Sequence, residues 1–332
     1  MQCRLENEMT SNMLSSVEVC AGAGGQALGL EKAGFEHQAL VEIDDRCRET
    51  LRHNRQNWNV VEGQFADISM FDGSPYKGVD LLAGGLPCPP FSVAGKQLGE
   101  HDERNLFPEA VRLVDQIRPK AVLIENVRGF LDPIFSEYRE QLKQHFRNLG
   151  YEMDWRLLNA CDFEVPQLRP RVAIVALQKQ YSDEFDWPSP KSRKGATVGQ
   201  TLVDLMSENG WTGATEWSVC ANKIAPTIVG GSKKHGGPDL GPTRAKRAWA
   251  ELGVDGMGIA NYSPKHDFVG NPRLTIRMVA RIQGFPDDWH FCGKKTPAYR
   301  QVGNAFPPPV AQALGESLLS ALTARQIYQV VA

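Results

Sequence analysis

One cysteine between prolines, one glutamate at the end of an apolar run and two arginines two positions apart are the side chains of this chain best placed to do chemistry. Cys88 stands in Gly84-Gly85-Leu86-Pro87-Cys88-Pro89-Pro90-Phe91-Ser92, directly after the apolar run 79–83. Reactive groups in open α/β sheets gather beyond the carboxyl ends of the strands, so a thiol there is an exposed nucleophile. Within the run it would be a small buried hydrophobe. A thiolate forms near neutral pH only where positive charge lowers its pKa. Glu125 ends a second apolar run, 121–125, where a carboxyl can give and take a proton; a strand-end Glu is also often merely solvated. Arg169 and Arg171 alternate along an extended segment and so point to one face, with a structural or phosphate-contacting Arg171 as the plainer alternative.

A second constellation surrounds a glycine turn. Val17-Glu18-Val19-Cys20 reads as a buried strand, followed by Ala21-Gly22-Ala23-Gly24-Gly25 and a helix through Leu28, Leu30 and Ala33. Glycine removes the Cβ that would keep a cofactor from the backbone. Glu42 lies 20 positions after Gly22, at the end of the next expected strand, where its carboxylate can accept both hydroxyls of a ribose. Gly22, Gly24 and Ala27 also satisfy the loose dinucleotide fingerprint, so a dehydrogenase competes at this point, as does a tight turn with no ligand. Asp67 can accept from an adenine amino group or cap a helix.

The elements that must position these residues alternate. Strands are expected at 17–20, 38–44, a short one ending near Asp67-Ile68, 79–83, 121–125, 155–159 and 172–177. Helices are expected at 46–54, 106–117 and 134–149. Such alternation predicts an α/β fold, a mostly parallel sheet covered on both faces. From about Ser182 to Gly270 the chain turns rich in Gly, Pro, Ser, Thr and Trp, as in a loop-rich smaller domain where recognition surfaces lie. Helical periodicity returns at 274–282 and from Val310 to about Tyr328. The expected division is therefore 1–181 for the cofactor and chemistry, 182–270 for recognition, and 271–332 for helices returning to the first domain.

Composition bounds the function. The chain has 332 residues, 42% hydrophobic and 23% charged, and a formal net charge of −2; it is ordinary for a protein with one substantial core. No apolar run is long enough to span a bilayer, and Met1 to Ser16 reads as a polar leader without a signal-peptide core. The seven cysteines are scattered and lack metal-ligand spacing, which predicts a reducing compartment and no structural zinc. Charge is uneven: between 223 and 250, Lys223, Lys233, Lys234, Arg244, Lys246 and Arg247 face one acid, Asp239, and Lys191, Arg193 and Lys194 form a smaller cluster. Such patches can carry phosphate contacts or be simple solvated surface.

Across almost its whole length the chain resembles the DNA cytosine-5 methyltransferases, in particular the bacterial restriction-modification type. The turn Gly22-Ala23-Gly24-Gly25 is similar to the family's S-adenosylmethionine loop, and Pro87-Cys88-Pro89-Pro90-Phe91-Ser92 to its nucleophile segment. Glu125-Asn126-Val127 resembles its acidic motif, and Gln167-Leu168-Arg169-Pro170-Arg171 its Gln-x-Arg-x-Arg motif. Arg273-Leu274-Thr275 with Gln283-Gly284-Phe285-Pro286 resembles the segment supporting the recognition domain, and Gln301-Val302-Gly303-Asn304-Ala305 the last motif. The order and spacing of these motifs override the dinucleotide reading. One departure is Cys20, where the family usually has a phenylalanine against the cofactor adenine; Ile43 adds an apolar but not an aromatic surface.

The resemblance implies a Rossmann-like methyltransferase sheet with a smaller, loop-rich target recognition domain. It implies S-adenosyl-L-methionine as cofactor, held by Cys20, Ala21, Gly22, Gly24, Gly25, Glu42, Ile43, Asp67, Ile68, Pro87, Leu106, Asn304 and Ala305. Catalysis falls to Cys88, Glu125, Arg169 and Arg171, by thiolate addition at carbon 6 of a cytosine flipped out of duplex DNA. Ser92, Lys233, Lys234, Arg244, Lys246 and Arg247 are the DNA-binding candidates, phosphate positioning being the commoner role. Residues 92–105 suit a loop that closes on the substrate, or an ordinary surface turn. A cytoplasmic, monomeric, DNA-associated enzyme is expected, marking a short sequence beside a restriction endonuclease or alone. The alternatives are a transfer-RNA cytosine-5 methyltransferase and an inactive DNA-binding module.

Overall fold

The computed structural model describes residues 13–87, 105–191, 195–231 and 237–331, with side chains to 324. Six strands form one sheet in the order β2-β1-β3-β4-β6-β5. They are β1 (Leu14–Val19), β2 (Phe35–Val41), β3 (Leu81–Gly85), β4 (Ala121–Val127), β5 (Tyr151–Asn159) and β6 (Pro170–Gln178). β1 pairs in parallel with β2 and β3, and β3 with β4. β6 lies antiparallel between β4 and β5, so the sheet is mixed. The parallel strands bring their carboxyl ends to one edge, and the register sets Gly85 beside Glu125 and Val127 beside Arg171.

The side-chain alternation of these strands makes two cores. Val17, Val19, Leu82, Val122 and Ile124 face one side, under α3 (Phe107–Ile117) and α4 (Ser136–Asn148). Leu81, Ala83, Ala121 and Leu123 face the other, with Leu30 of α1 (Gly25–Ala33) and Val310, Leu314 and Leu318 of α11 (Pro308–Val331). The late helix packs on this face of the sheet. α2 (Asp45–Asn54) follows β2, its first turn capped by Asp44, whose side chain accepts from the Arg46 N–H at 2.9 Å.

The expected strand ending at Asp67-Ile68 does not form. A single bridge sets Val60 beside Leu40, and the chain then coils through a 3₁₀ turn at Gly63–Ala66, with Gly63 at φ 63°. A left-handed residue breaks the extended run just where strand pairing would have to continue.

Residues 182–270 hold more helix than their composition suggests. After α5 (Lys179–Ser182) come α6 (Val198–Ser207), α7 (Ala214–Cys220) and α8 (Thr243–Ala250). Thr197 caps α6, its hydroxyl accepting from the Gln200 N–H. Few long apolar runs are needed because Trp211, Trp217 and Trp249 supply large buried surfaces from short elements. Their core is continuous with α9 (Ile276–Ile282) and α10 (Lys295–Asn304), and reaches Ala21, Ala23 and Trp58 beside the glycine turn. Among the described residues no helix is long and apolar enough to cross a membrane, and no three His, Cys, Asp or Glu residues cluster as for a metal.

Candidate active site

The glycine turn is built from left-handed backbone. Gly22 has φ 55° and Gly24 φ 85°, and Cys20 before them is itself at φ 52°. Glu42 fastens the turn to the end of β2: one carboxylate oxygen accepts from the Gly22 N–H at 2.8 Å and the other from the Asp44 N–H at 2.8 Å. Burial pushes the Glu42 carboxyl up, and those two N–H groups pull it back. Each oxygen keeps a further lone pair, which two vicinal hydroxyls could share. Ile43, beside it, is 66% exposed. Asp67 commits Oδ1 to the backbone and hydroxyl of Ser69, the capping geometry that its sequence setting also allowed. Ile68 is buried, Leu106 half-buried at the start of α3, and Pro87 half-buried at the end of the described β3 segment. Cys88 and Ser92 lie outside the described residues, as do Lys233 and Lys234.

Burial pushes the Cys20 thiol far above its usual range, helped by the negative charges of Glu42, Asp67 and Glu18. Such a thiol stays protonated and is no nucleophile.

Glu125 is 5% exposed and lies 2.7 Å, through Oε1, from Arg171 Nε. Burial raises its pKa, and the charges of Arg171 and then Arg169 oppose the rise. A carboxyl held between these influences can donate a proton to a ring nitrogen and take it back.

Alternation along 169–171 would set both arginines on one face. Only Arg171 belongs to the β4–β6 ladder, and Arg169, ahead of it, turns inward. Fully buried, Arg169 donates to the carbonyls of Ile228 at 2.7 Å, Gly303 at 2.8 Å and Ala305 at 3.0 Å. Gln167 extends this staple, accepting from the Ile228 N–H and donating to Gln283 Oε1 at 2.6 Å, while Gln283 donates to the Ala305 carbonyl. Arg169 thus joins the last motif and the middle segment to the sheet, and touches Glu125 only through its field. Ala305 is buried there, and Asn304 is exposed with Nδ2 3.5 Å from the Gly231 carbonyl.

Of the basic candidates on α8, Arg244 and Arg247 are exposed three positions apart, on one helix face. Lys246 is instead paired with Asp239 at 2.9 Å, which offsets the charge it could offer a phosphate.

Two residues near the turn escape sequence reasoning. Trp289 donates its indole N–H to the Ala23 carbonyl at 3.2 Å, three positions beyond the Gln283-Gly284-Phe285-Pro286 motif. No local pattern marks a tryptophan that acts 266 residues away. Gln26 is 3% exposed, and neither of its amide atoms has a hydrogen-bond partner. A glutamine at the second position of a helix whose neighbours are apolar was the available signal.

The family model of C-5 cytosine-specific DNA methylases matches residues 14–320. The chain is 57% identical over 312 residues to the type II methyltransferase M.NaeI of Lentzea aerocolonigenes, covering 93% of this chain and 75% of that protein. It is 56% identical over 311 residues to the type II methyltransferase M.NgoMIV of Neisseria gonorrhoeae, covering 93% and 98%. In fold it is similar to a DNA modification methyltransferase from an E. coli prophage, with TM-score 0.66, 24% identity and coverage of 93% and 99%. The fold is also that of Spodoptera frugiperda DNMT2, with TM-score 0.62, 17% identity and coverage of 92% and 99%. The family match sets aside both the dinucleotide and the RNA readings. The chain belongs to the C-5 cytosine-specific DNA methylases, enzymes that use S-adenosylmethionine to methylate carbon 5 of cytosine in DNA.

Proposed function

We propose that this enzyme acts on a cytosine flipped out of duplex DNA within one short sequence, through a covalent bond from Cys88 to carbon 6. The observation that carries the reading is the Glu125–Arg171 pair, buried at the sheet edge beside Gly85, three positions before Cys88. Carbon 5 of cytosine is a weak nucleophile. Addition of the Cys88 thiolate at carbon 6 pushes the ring electrons toward nitrogen 3, where Glu125 delivers a proton, and carbon 5 becomes enamine-like. Arg171 holds Glu125 in place and stabilises the carboxylate left behind. Once carbon 5 carries its methyl group, water taking the carbon 5 proton would break the sulfur–carbon bond, returning the thiolate to Cys88 and the nitrogen 3 proton to Glu125.

The residues fit S-adenosylmethionine, which when bound supplies an electrophilic methyl group. Glu42 would hold the ribose hydroxyls, the backbone of 20–25 the methionine end, and Ile43, Asp67 and Ile68 the adenine. Leu106, Pro87, Asn304 and Ala305 would close the remaining walls. The orphaned amide of Gln26 supports a ligand at this edge. Arg169 would organise the site rather than touch the base, a role its three carbonyl contacts favour.

Residues 182–270 would read neighbouring bases, with Arg244 and Arg247 on phosphates, and Ser92, Lys233 and Lys234 as further contacts. The type II relatives support a place beside a restriction endonuclease of the same specificity, in a monomer associated with DNA in the cytoplasm.

The decisive experiment uses a duplex carrying 5-fluorocytosine, from which elimination is blocked. With S-adenosylmethionine the protein should remain attached to the DNA, Cys88→Ala should abolish the adduct and Cys20→Ala should not; an adduct with Cys88→Ala would overturn the assignment. Bisulfite sequencing of normal DNA treated with the enzyme should return one short consensus around every modified cytosine. Modification in unrelated contexts would remove the reading role of 182–270.

A further inference from the structure

Two aliphatic side chains stand exposed where hydrogen bonds fix the backbone most firmly. Leu168 is 53% exposed and Val229 47%. Their segments are tied to each other: the Leu168 N–H donates to the Ala225 carbonyl at 2.8 Å, and the Thr227 hydroxyl donates to the Leu168 carbonyl. On either side of Leu168, Gln167 and Arg169 reach inward, to the Ile228 N–H at 2.9 Å and the Ile228 carbonyl at 2.7 Å. Alternation along an extended segment turns Leu168 outward between them. Val229 follows the pinned Ile228 and precedes Gly230, which lies so close to α10 that a Cβ there would be 2.6 Å from the Arg300 carbonyl.

This packing dictates that the side chains at 168 and 229 face outward, but not that they be aliphatic. A serine at either position would leave the backbone bonds intact and present no apolar surface to water. Single exposed apolar residues are ordinary, but these two share one ledge of fixed backbone. Leu168 stands three positions before Arg171, which pairs with Glu125, so the ledge continues the edge proposed to meet the cytosine. At the end of the neighbouring strand, Arg128 is the first residue after β4; it is exposed, and among the described residues no carboxylate pairs with it. Aliphatic surface beside an unpaired cation matches a nucleic-acid strand, in which sugar alternates with phosphate.

We propose that Leu168 and Val229 rest on deoxyribose of the DNA strand bearing the target cytosine, while Arg128 takes an adjoining phosphate. The ledge thereby positions that strand over the Glu125–Arg171 pair. Such contacts read no bases; they fix the register and orientation of the strand. Covering the two side chains with sugar returns the free energy spent in exposing them to water. This inference rests on the reading above that the Glu125–Arg171 edge meets the cytosine.

Fluorescence anisotropy of a duplex that the enzyme methylates, titrated with the full chain over a series of salt concentrations, tests it. Apolar contacts change affinity alike at every salt concentration, whereas each phosphate contact contributes about 0.9 to the slope of log affinity against log salt. Leu168→Ser and Val229→Ser should each weaken binding about 3–10-fold with the slope unchanged. Leu168→Met keeps the apolar surface and should lose less than about 2-fold. Arg128→Ala should reduce the slope by about one. All four variants should melt within about 2 °C of the wild type, since these side chains lie at the surface. Serine variants that bind as tightly as the wild type, or whose loss comes with a changed slope, overturn the ledge. An unchanged slope in Arg128→Ala overturns the phosphate contact. A Glu125→Gln variant with an unchanged single-turnover methylation rate would instead overturn the reading of the edge, and this proposal with it.

Discussion

Three acidic or thiol groups near one sheet edge show how burial sorts chemistry at the scale of a residue. Glu125 is buried beside two arginines, whose charges oppose the rise that burial imposes on its pKa. Cys20 is partly buried, and desolvation, with nearby carboxylates adding to it, raises its thiol pKa. Glu18, fully buried, is pushed well above the usual carboxylate range, chiefly by burial. The consequence for stability has a definite sign. At low pH Glu18 is protonated in both the folded and unfolded chain and carries no ionisation cost. As pH rises through the usual carboxylate range the unfolded chain ionises first, so stability falls until the raised folded pKa is passed. Glu18→Gln imitates the protonated form. It should match the wild type near pH 4 and melt at least about 2 °C higher near pH 8, as followed by circular dichroism. An equal difference at both pH values would mean that packing, not ionisation, is responsible.

At the scale of elements, the glycine turn is held from behind by segments distant in sequence. Trp58 and Trp289 flank Arg55, with its guanidinium 5.9 Å and 5.3 Å from the ring centres. Arg55 and the Trp58 indole N–H both bind Glu31 of α1. Trp289 then reaches the Ala23 carbonyl, and a Cβ on Gly24 would strike the Trp289 ring at 2.9 Å. The turn is therefore positioned by aromatic surface, not by its own glycines alone. Trp289→Phe keeps most of that surface and loses the N–H. The KM for S-adenosylmethionine should rise about 2–10-fold, the worth of one hydrogen bond, with kcat within about 2-fold. A fall in kcat with unchanged KM would place Trp289 in the chemical step.

Over the whole molecule, the decisive contact is the staple of Arg169, Gln167 and Gln283. It joins the start of β6, the segment around Ile228 and the loop after α10, three stretches separated by 59 and 136 residues from Arg169. Arg169→Met keeps the volume but leaves the Ile228, Gly303 and Ala305 carbonyls without this partner. Stability to urea should fall by roughly 2 kcal/mol or more, at about 1 kcal/mol or more for each of the Ile228 and Gly303 carbonyls, because Ala305 keeps the Gln283 amide as donor. A change below about 1 kcal/mol would show that these carbonyls find other partners. The shared core of Trp211, Trp217 and Trp249 with α9 and α10 explains why the middle segment would feel this loss.

What was legible in the sequence was local. Apolar runs at 79–83 and 121–125 marked β3 and β4, the glycines marked the turn after β1, and the spacing put Glu42 just past the end of β2, because each depends on residues close along the chain or on strand alternation; that Glu42 binds the turn itself was a structural finding. Motif order carried the family. The sequence misled where short range was insufficient: the run before Asp67 lacked a neighbour to continue its pairing past Gly63, and the two arginines were separated by the point at which the β6 ladder begins. Only tertiary structure could decide that Arg169 faces carbonyls from 303 and 305, that Trp289 supports Ala23, and that Gln26 is buried without a partner. Those outcomes depend on which distant segments fill the space beside a side chain, and no spacing along the chain encodes that.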